Sequence, residues 1–174
     1  KRRIQDSELG DKVRSLDHGF QKVKWIGGRS VSCQAEHTPI RIRKGALGNT
    51  RDLYVSPLHR MLITDQRAAV LFGEKELLVT AKALVNDYTI VRSPVETVHY
   101  YHMLFDKHEV IYAEDCPSEG FYLSDLSLSS QDREQRDELM SLFPELCEFD
   151  NSSLPTARMV LKSHEASVLS TIGQ

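Results

Sequence analysis

Turn-forming residues recur every few positions along residues 1–125, and that spacing limits the fold more than composition does. Gly10-Asp11, Asp17-His18-Gly19, Gly27-Gly28 and Gly45-Ala46-Leu47-Gly48-Asn49 cut the chain into pieces too short for ordinary helices. Between them lie short apolar or β-branched runs. Lys12-Val13 follows the first turn, and Asp-His-Gly between alternating residues suits a hairpin with glycine at positive φ. A run ending at Trp25-Ile26 is closed by Gly27-Gly28. Pro39-Ile40-Arg41-Ile42-Arg43 alternates apolar and charged side chains, the mark of a half-solvated strand. Leu53-Tyr54-Val55, Met61-Leu62-Ile63 and Ala69-Val70-Leu71-Phe72 read as further strands. Ala81-Lys82-Ala83-Leu84-Val85 reads as one helical turn, and Val95 to Ala113 as two strands joined at Phe105-Asp106-Lys107-His108. The expected class is mainly β, built of many short strands.

From Gln131 to Phe149 the pattern changes. Leu139, Leu142, Phe143 and Leu146 fall at helical spacing among acidic and basic residues, so an amphipathic helix is expected there, interrupted near Pro144. Ala157 to Leu169 suits a short helix or an extended arm. The expected organisation is a β domain over residues 1–125, with residues 126–174 as a helical or extended appendage packed on it.

With 174 residues the chain is long enough to build a proper core. A net charge of -3 with scattered basic residues argues against nucleic-acid binding, which needs a basic face. No apolar run approaches the ~20 residues that cross a bilayer, so no membrane span is expected. Cys33, Cys116 and Cys147 are odd in number and widely spaced, which suits neither a disulfide framework nor a zinc knuckle. The chain does not begin with Met, so Lys1 reads as a trimmed, cleaved or first-visible residue.

The stretch with chemical content is Val55-Ser56-Pro57-Leu58-His59-Arg60. On a straight strand residues three apart point to opposite faces, so Ser56 and His59 would not meet. Pro57 fixes its own φ and pushes Ser56 towards the extended region, which favours a turn that lets hydroxyl and imidazole converge. A hydroxyl beside a group titrating near neutrality can polarise a peptide bond and protonate its nitrogen. By itself the hexapeptide is more simply a strand end whose Ser and His bond locally.

Other constellations fare worse. His99 and His102, with His59 or His108, suggest a metal site, but on a β-branched and aromatic strand the first two face opposite ways. No metal or organic cofactor is expected. His99, His18 and His37 read as exposed or satisfied structural histidines. A serine hydrolase would need a nucleophile elbow; none is present, and Ser118 in Pro117-Ser118-Glu119-Gly120 is not on a strand-to-helix turn. Glu114 and Asp115 beside Cys116 would raise its thiol pKa by like charge, making it a poor nucleophile.

Taken together, the segments resemble a Hint domain, the hedgehog/intein fold, and its bacterial intein-like subgroup. The motifs are Leu9-Gly10-Asp11-Lys12-Val13, Gln21 to Gly27, Pro39 to Gly48, Asp52 to Arg60, Ala81 to Asn86 and Asp106 to Glu114. The resemblance implies a horseshoe of short strands that activates the peptide bond at its own N-terminal junction by an N-to-S or N-to-O acyl shift. It assigns Ser56 to orient or polarise that bond, His59 to protonate the departing nitrogen, and His108 to the same site; His102 is carried over less firmly. The partner implied is the N-terminal flanking polypeptide, with water or a small nucleophile as acceptor, and the setting implied is secreted or extracellular. The family's nucleophile falls upstream of Lys1, and none of the three cysteines replaces it by position. Splicing members end in His-Asn where this chain has Cys116-Pro117-Ser118-Glu119, so cleavage or acyl transfer without splicing is implied. The alternative is a Hint fold serving as a binding or structural module.

Overall fold

The computed structural model describes residues 2–33, 37–121, 137, 140–144, 156–162 and 164–166. Twelve strands lie among them: β1 (Lys12–Arg14), β2 (Phe20–Lys22), β3 (Trp25–Ser32), β4 (Ile40–Ile42), β5 (Leu53–Val55), β6 (Arg60–Thr64), β7 (Glu76–Thr80), β8 (Ile90–Arg92), β9 (Thr97–Leu104), β10 (Val110–Ala113), β11 (Cys116–Glu119) and β12 (Met159–Val160). The helix α1 (Gln66–Phe72) lies between β6 and β7, and 3-10 turns occur at Ile4–Asp6 and Ala81–Leu84. The class is mainly β, as the spacing of turns predicts, and among the described residues no helix is long and apolar enough to cross a membrane.

The central sheet has the order β10-β11-β6-β7-β12 and is open. Its β6 and β7 pair antiparallel, from Arg60 opposite Thr80 to Thr64 opposite Glu76, and each buries three of its five residues. Met61, Leu77, Leu78 and Val79 have essentially no contact with solvent, at about 1.5–3 kcal/mol for each large apolar side chain buried. A two-stranded ribbon, β3 with β9, runs from Trp25 opposite Leu104 to Ser32 opposite Thr97. The third group is β5-β4-β8, in which Ile40 and Ile42 point into a core with Val55, Met61, Ala81, Ile90 and Cys116.

The hairpin β1–β2 turns through Ser15–Gly19, with Gly19 at φ +68. Hairpin β10–β11 turns through Glu114 and Asp115, both at positive φ (50 and 69), as a two-residue primed turn demands. This second turn aims Cys116–Glu119 back across β6.

Two local expectations are corrected. Ala69–Phe72 is not a strand but the end of α1, whose Asp65 side chain accepts the Arg67 amide at 2.8 Å and whose Gly73 sits at φ 79. Gly27-Gly28 does not end a strand; β3 continues through both. A Cβ on Gly27 would overlap the Trp25 ring, and one on Gly28 would lie 2.6 Å from Tyr101, so both glycines admit close ring packing. Two strands do flank Phe105-Asp106-Lys107-His108 as expected, β9 before it and β10 after it, and each takes a different partner, β9 pairing with β3 and β10 with β11.

Downstream of residue 125 both halves of the expected arm occur: β12 pairs in parallel with β7, and His164–Ala166 is helical. Leu142 and Phe143 are buried against Tyr100, Leu104, Phe121 and Trp25; residues 140–142 are helical and Phe143 is not. Leu139 and Leu146, and most of the expected helix over Gln131–Phe149, lie outside the described residues.

Candidate active site

Pro57 makes the turn that its chemistry predicts. The His59 amide donates to the Ser56 carbonyl at 3.2 Å, closing a four-residue turn with proline at its second position. The turn is pinned to the following 3-10 segment, because the Lys82 amide donates to the Pro57 carbonyl at 2.9 Å and the Ala81 amide to that of His59 at 2.8 Å. Ser56 and Arg60 are buried on either side of a half-buried His59.

Ser56 and His59 line one cleft of about 1050 Å³. Its wall also includes Tyr101 and His102 from β9, Ser118 and Glu119 from β11, and Arg2, Arg3 and Ile4 from the N-terminal end of the described chain. The serine and histidine of the hexapeptide are therefore brought to one wall, beside the chain's own N-terminal residues. His108 is not among the cleft residues. Its side chain is fully buried behind Glu119, with Nε2 3.0 Å from Glu119 Oε1 and Nδ1 accepting the Ala157 amide at 3.1 Å.

The closest partner of His59 comes from a distant part of the sequence. His59 Nε2 stands 2.6 Å from Ser118 Oγ, held by the register that sets Ser118 opposite Met61. Next to it, the Glu119 carboxylate lies 3.0 Å from Arg60 Nη1. Burial alone would raise the Glu119 pKa, but Arg60, His108 and His59 outweigh it and hold the group at about 2, an anion at any ordinary pH. Burial lowers the pKa of His59; Arg60 adds to this and Glu119 opposes it. His102, whose ring lies 5.7 Å from that of His59 and packs edge-on against Phe121 and Phe143, is pushed down to about 3 by burial and by His59. Both imidazoles are neutral at pH 7.

Ser118, Glu119 and Arg60 are not singled out by spacing. The signal available was the place of Ser118-Glu119 in the final block of the resemblance, where another residue pair is the rule. Three further histidines have partners outside the cleft chemistry: His18 Nδ1 is 3.0 Å from buried Glu109, His99 Nδ1 is 2.7 Å from Ser30 Oγ, and the His37 carbonyl accepts the Tyr100 hydroxyl at 2.9 Å. His99 and His102 lie on opposite faces of β9, and among the described residues no cluster of three or more His, Cys, Asp or Glu could hold a metal ion. Cys116 is raised to about 11, but by burial and not by its acidic neighbours; Glu114 instead grips Arg51 at 2.6 and 2.9 Å. Cys147 lies outside the described residues.

Fold and cleft together define a class, a mainly β domain of short strands that sets a serine-turn-histidine step beside its own N-terminal end. The chain belongs to the Hint domain family, whose sequence model matches residues 1–125. No curated protein and no solved structure matches it. Membership of this family generally implies the capacity to process the polypeptide that carries the domain.

Proposed function

We propose that this domain activates the peptide bond at its N-terminal junction by an N-to-S or N-to-O acyl shift, followed by cleavage or acyl transfer without splicing. The observation that carries this reading is the single cleft that holds Ser56, His59 and the N-terminal residues Arg2 to Ile4. An acyl shift from nitrogen is uphill because amide resonance is lost, so it needs an acid at the departing nitrogen. His59, neutral at pH 7, takes the proton of the attacking thiol or hydroxyl as the new S–C or O–C bond forms. The burial that lowers its pKa makes the resulting imidazolium a stronger acid, which then protonates nitrogen as the C–N bond breaks. Ser56 polarises the carbonyl from the turn. His108 acts from behind, holding the Glu119 anion in place. Beyond residue 125, Leu142, Phe143, Leu161 and Ala166 pack on the body of the domain, and the polypeptide ahead of the domain is the partner.

A reporter fused ahead of a Cys placed upstream of Lys1 tests this. Release of the reporter, accelerated by added thiol, is expected, and His59→Ala should slow it by about 10²–10⁴. Equal cleavage in His59→Ala removes His59 from the mechanism.

A further inference from the structure

We propose that Ser118 is a nucleophile in its own right, activated by His59, that accepts the acyl group of an ester or thioester presented in the cleft. Its natural donor would be the linkage formed at the N-terminal junction, and that part rests on the self-processing reading.

Three observations support the assignment. Ser118 Oγ lies 2.6 Å from His59 Nε2, at the short end of hydrogen-bond distances and within the reach required between a nucleophile and its base. Both groups are fixed by strand pairing: Ser118 lies on β11 opposite Met61 of β6, two residues beyond His59. Both line the cleft in which the N-terminal residues also lie. The environment fits as well, since burial keeps His59 in the neutral, proton-accepting form while the buried Glu119 anion favours the imidazolium once formed.

A second serine-histidine pair shows what is missing elsewhere. Ser30 Oγ and His99 Nδ1 are 2.7 Å apart, but both residues are exposed on the β3–β9 ribbon, where water competes for the bond.

The step balances within the chain when His59 carries its proton on Nδ1. The Ser118 O–H proton passes to His59 Nε2 as Oγ bonds to the acyl carbon. The C–S or C–O bond of the donor breaks, and the leaving thiolate or alkoxide takes the proton back from the imidazolium. Water then hydrolyses the Ser118 ester by the same base, releasing a carboxylic acid and restoring the hydroxyl.

The test uses the 174-residue chain and p-nitrophenyl acetate. A burst of p-nitrophenolate equal to one acetyl per chain is expected, with the acetyl mapped by peptide mass spectrometry to Ser118. Ser118→Ala and His59→Gln should each lower the acylation rate by about 100-fold. Ser30→Ala should leave it unchanged. Ser118→Cys, which keeps a nucleophile of similar size, should still be labelled, now as a thioester removed by hydroxylamine. Acetyl found only on Ser30, His59 or lysines, with Ser118→Ala reacting as fast as the parent, overturns the proposal. Because the probe needs no N-terminal junction, acetylation of Ser118 stands even where a precursor fails to cleave. A precursor that cleaves while its Ser118 stays unlabelled by probe or junction overturns the proposal and leaves the self-processing reading intact.

Discussion

His59 and His102 face each other across the cleft wall, with Arg60 and Glu119 beside them, and their burial ties stability to pH. Both imidazoles have folded pKa values below the usual 6.5, so under that pH the unfolded chain binds protons that the folded chain refuses. Their stabilisation is fully present above 6.5 and is lost as pH falls below it, for His102 down to about 3. Glu119, held at about 2 against an ordinary 4.5, acts in the same direction between those values. Urea midpoints should therefore fall steadily from pH 6.5 to 4, and His102→Phe should flatten the part above 4.5. Midpoints that do not change between pH 7 and 5 would refute this account. At this scale the sequence was readable where contacts are local, as with proline closing a turn from Ser56 to His59. The Ser118–His59 pair spans 59 residues, and strand register, not spacing, brings it together.

Helix α1 shows why element types are harder to read than their limits. Ala69-Val70-Leu71-Phe72 is an apolar run of strand length, and such runs do not distinguish strand from buried helix. The deciding residues flank it, Asp65 at the start and Gly73 at the end, and both were visible in the sequence. Replacing the cap by Asp65→Ala should cost about 1 kcal/mol in urea unfolding, because the Arg67 amide loses its acceptor. A loss near zero would mean that packing of Ala68 alone holds the helix. Gly27-Gly28 misleads for the opposite reason: read locally it is a breaker, whereas Trp25 folding over Gly27 and Tyr101 lying over Gly28 from the opposite strand make the absence of a side chain a packing requirement.

At the scale of the molecule, the part beyond residue 125 completes cores that the first part leaves open. Phe143, with 1% of its surface exposed, fills the space among Trp25, Tyr100, Leu104 and Phe121, and Leu161 and Ala166 cover Leu77 and Val79. Phe143→Ala should cost about 3–5 kcal/mol and shift the emission of Trp25, the chain's one tryptophan, whose ring lies 5.4 Å away edge-on. Unchanged emission at an unchanged urea midpoint would show that the packing is dispensable. The mainly β class and the apolar, core-facing character of Leu142 and Phe143 were legible; which sheet they would seal was not, because β9 and β10 join different sheets despite being neighbours in sequence.

The bond from the Ala157 amide to His108 Nδ1 also sets an order in time. Synthesis delivers a chain N-terminus first, at roughly 5–20 residues per second, so Ser56, His59 and Glu119 exist for seconds before Ala157 does. Before it arrives, either nitrogen of His108 can carry the proton; afterwards the proton belongs on Nε2, towards Glu119. The arrangement of charge behind the cleft is thus finished by a residue made well after Ser56, His59 and Glu119, and a nascent chain that has not reached Ala157 meets an unfinished site.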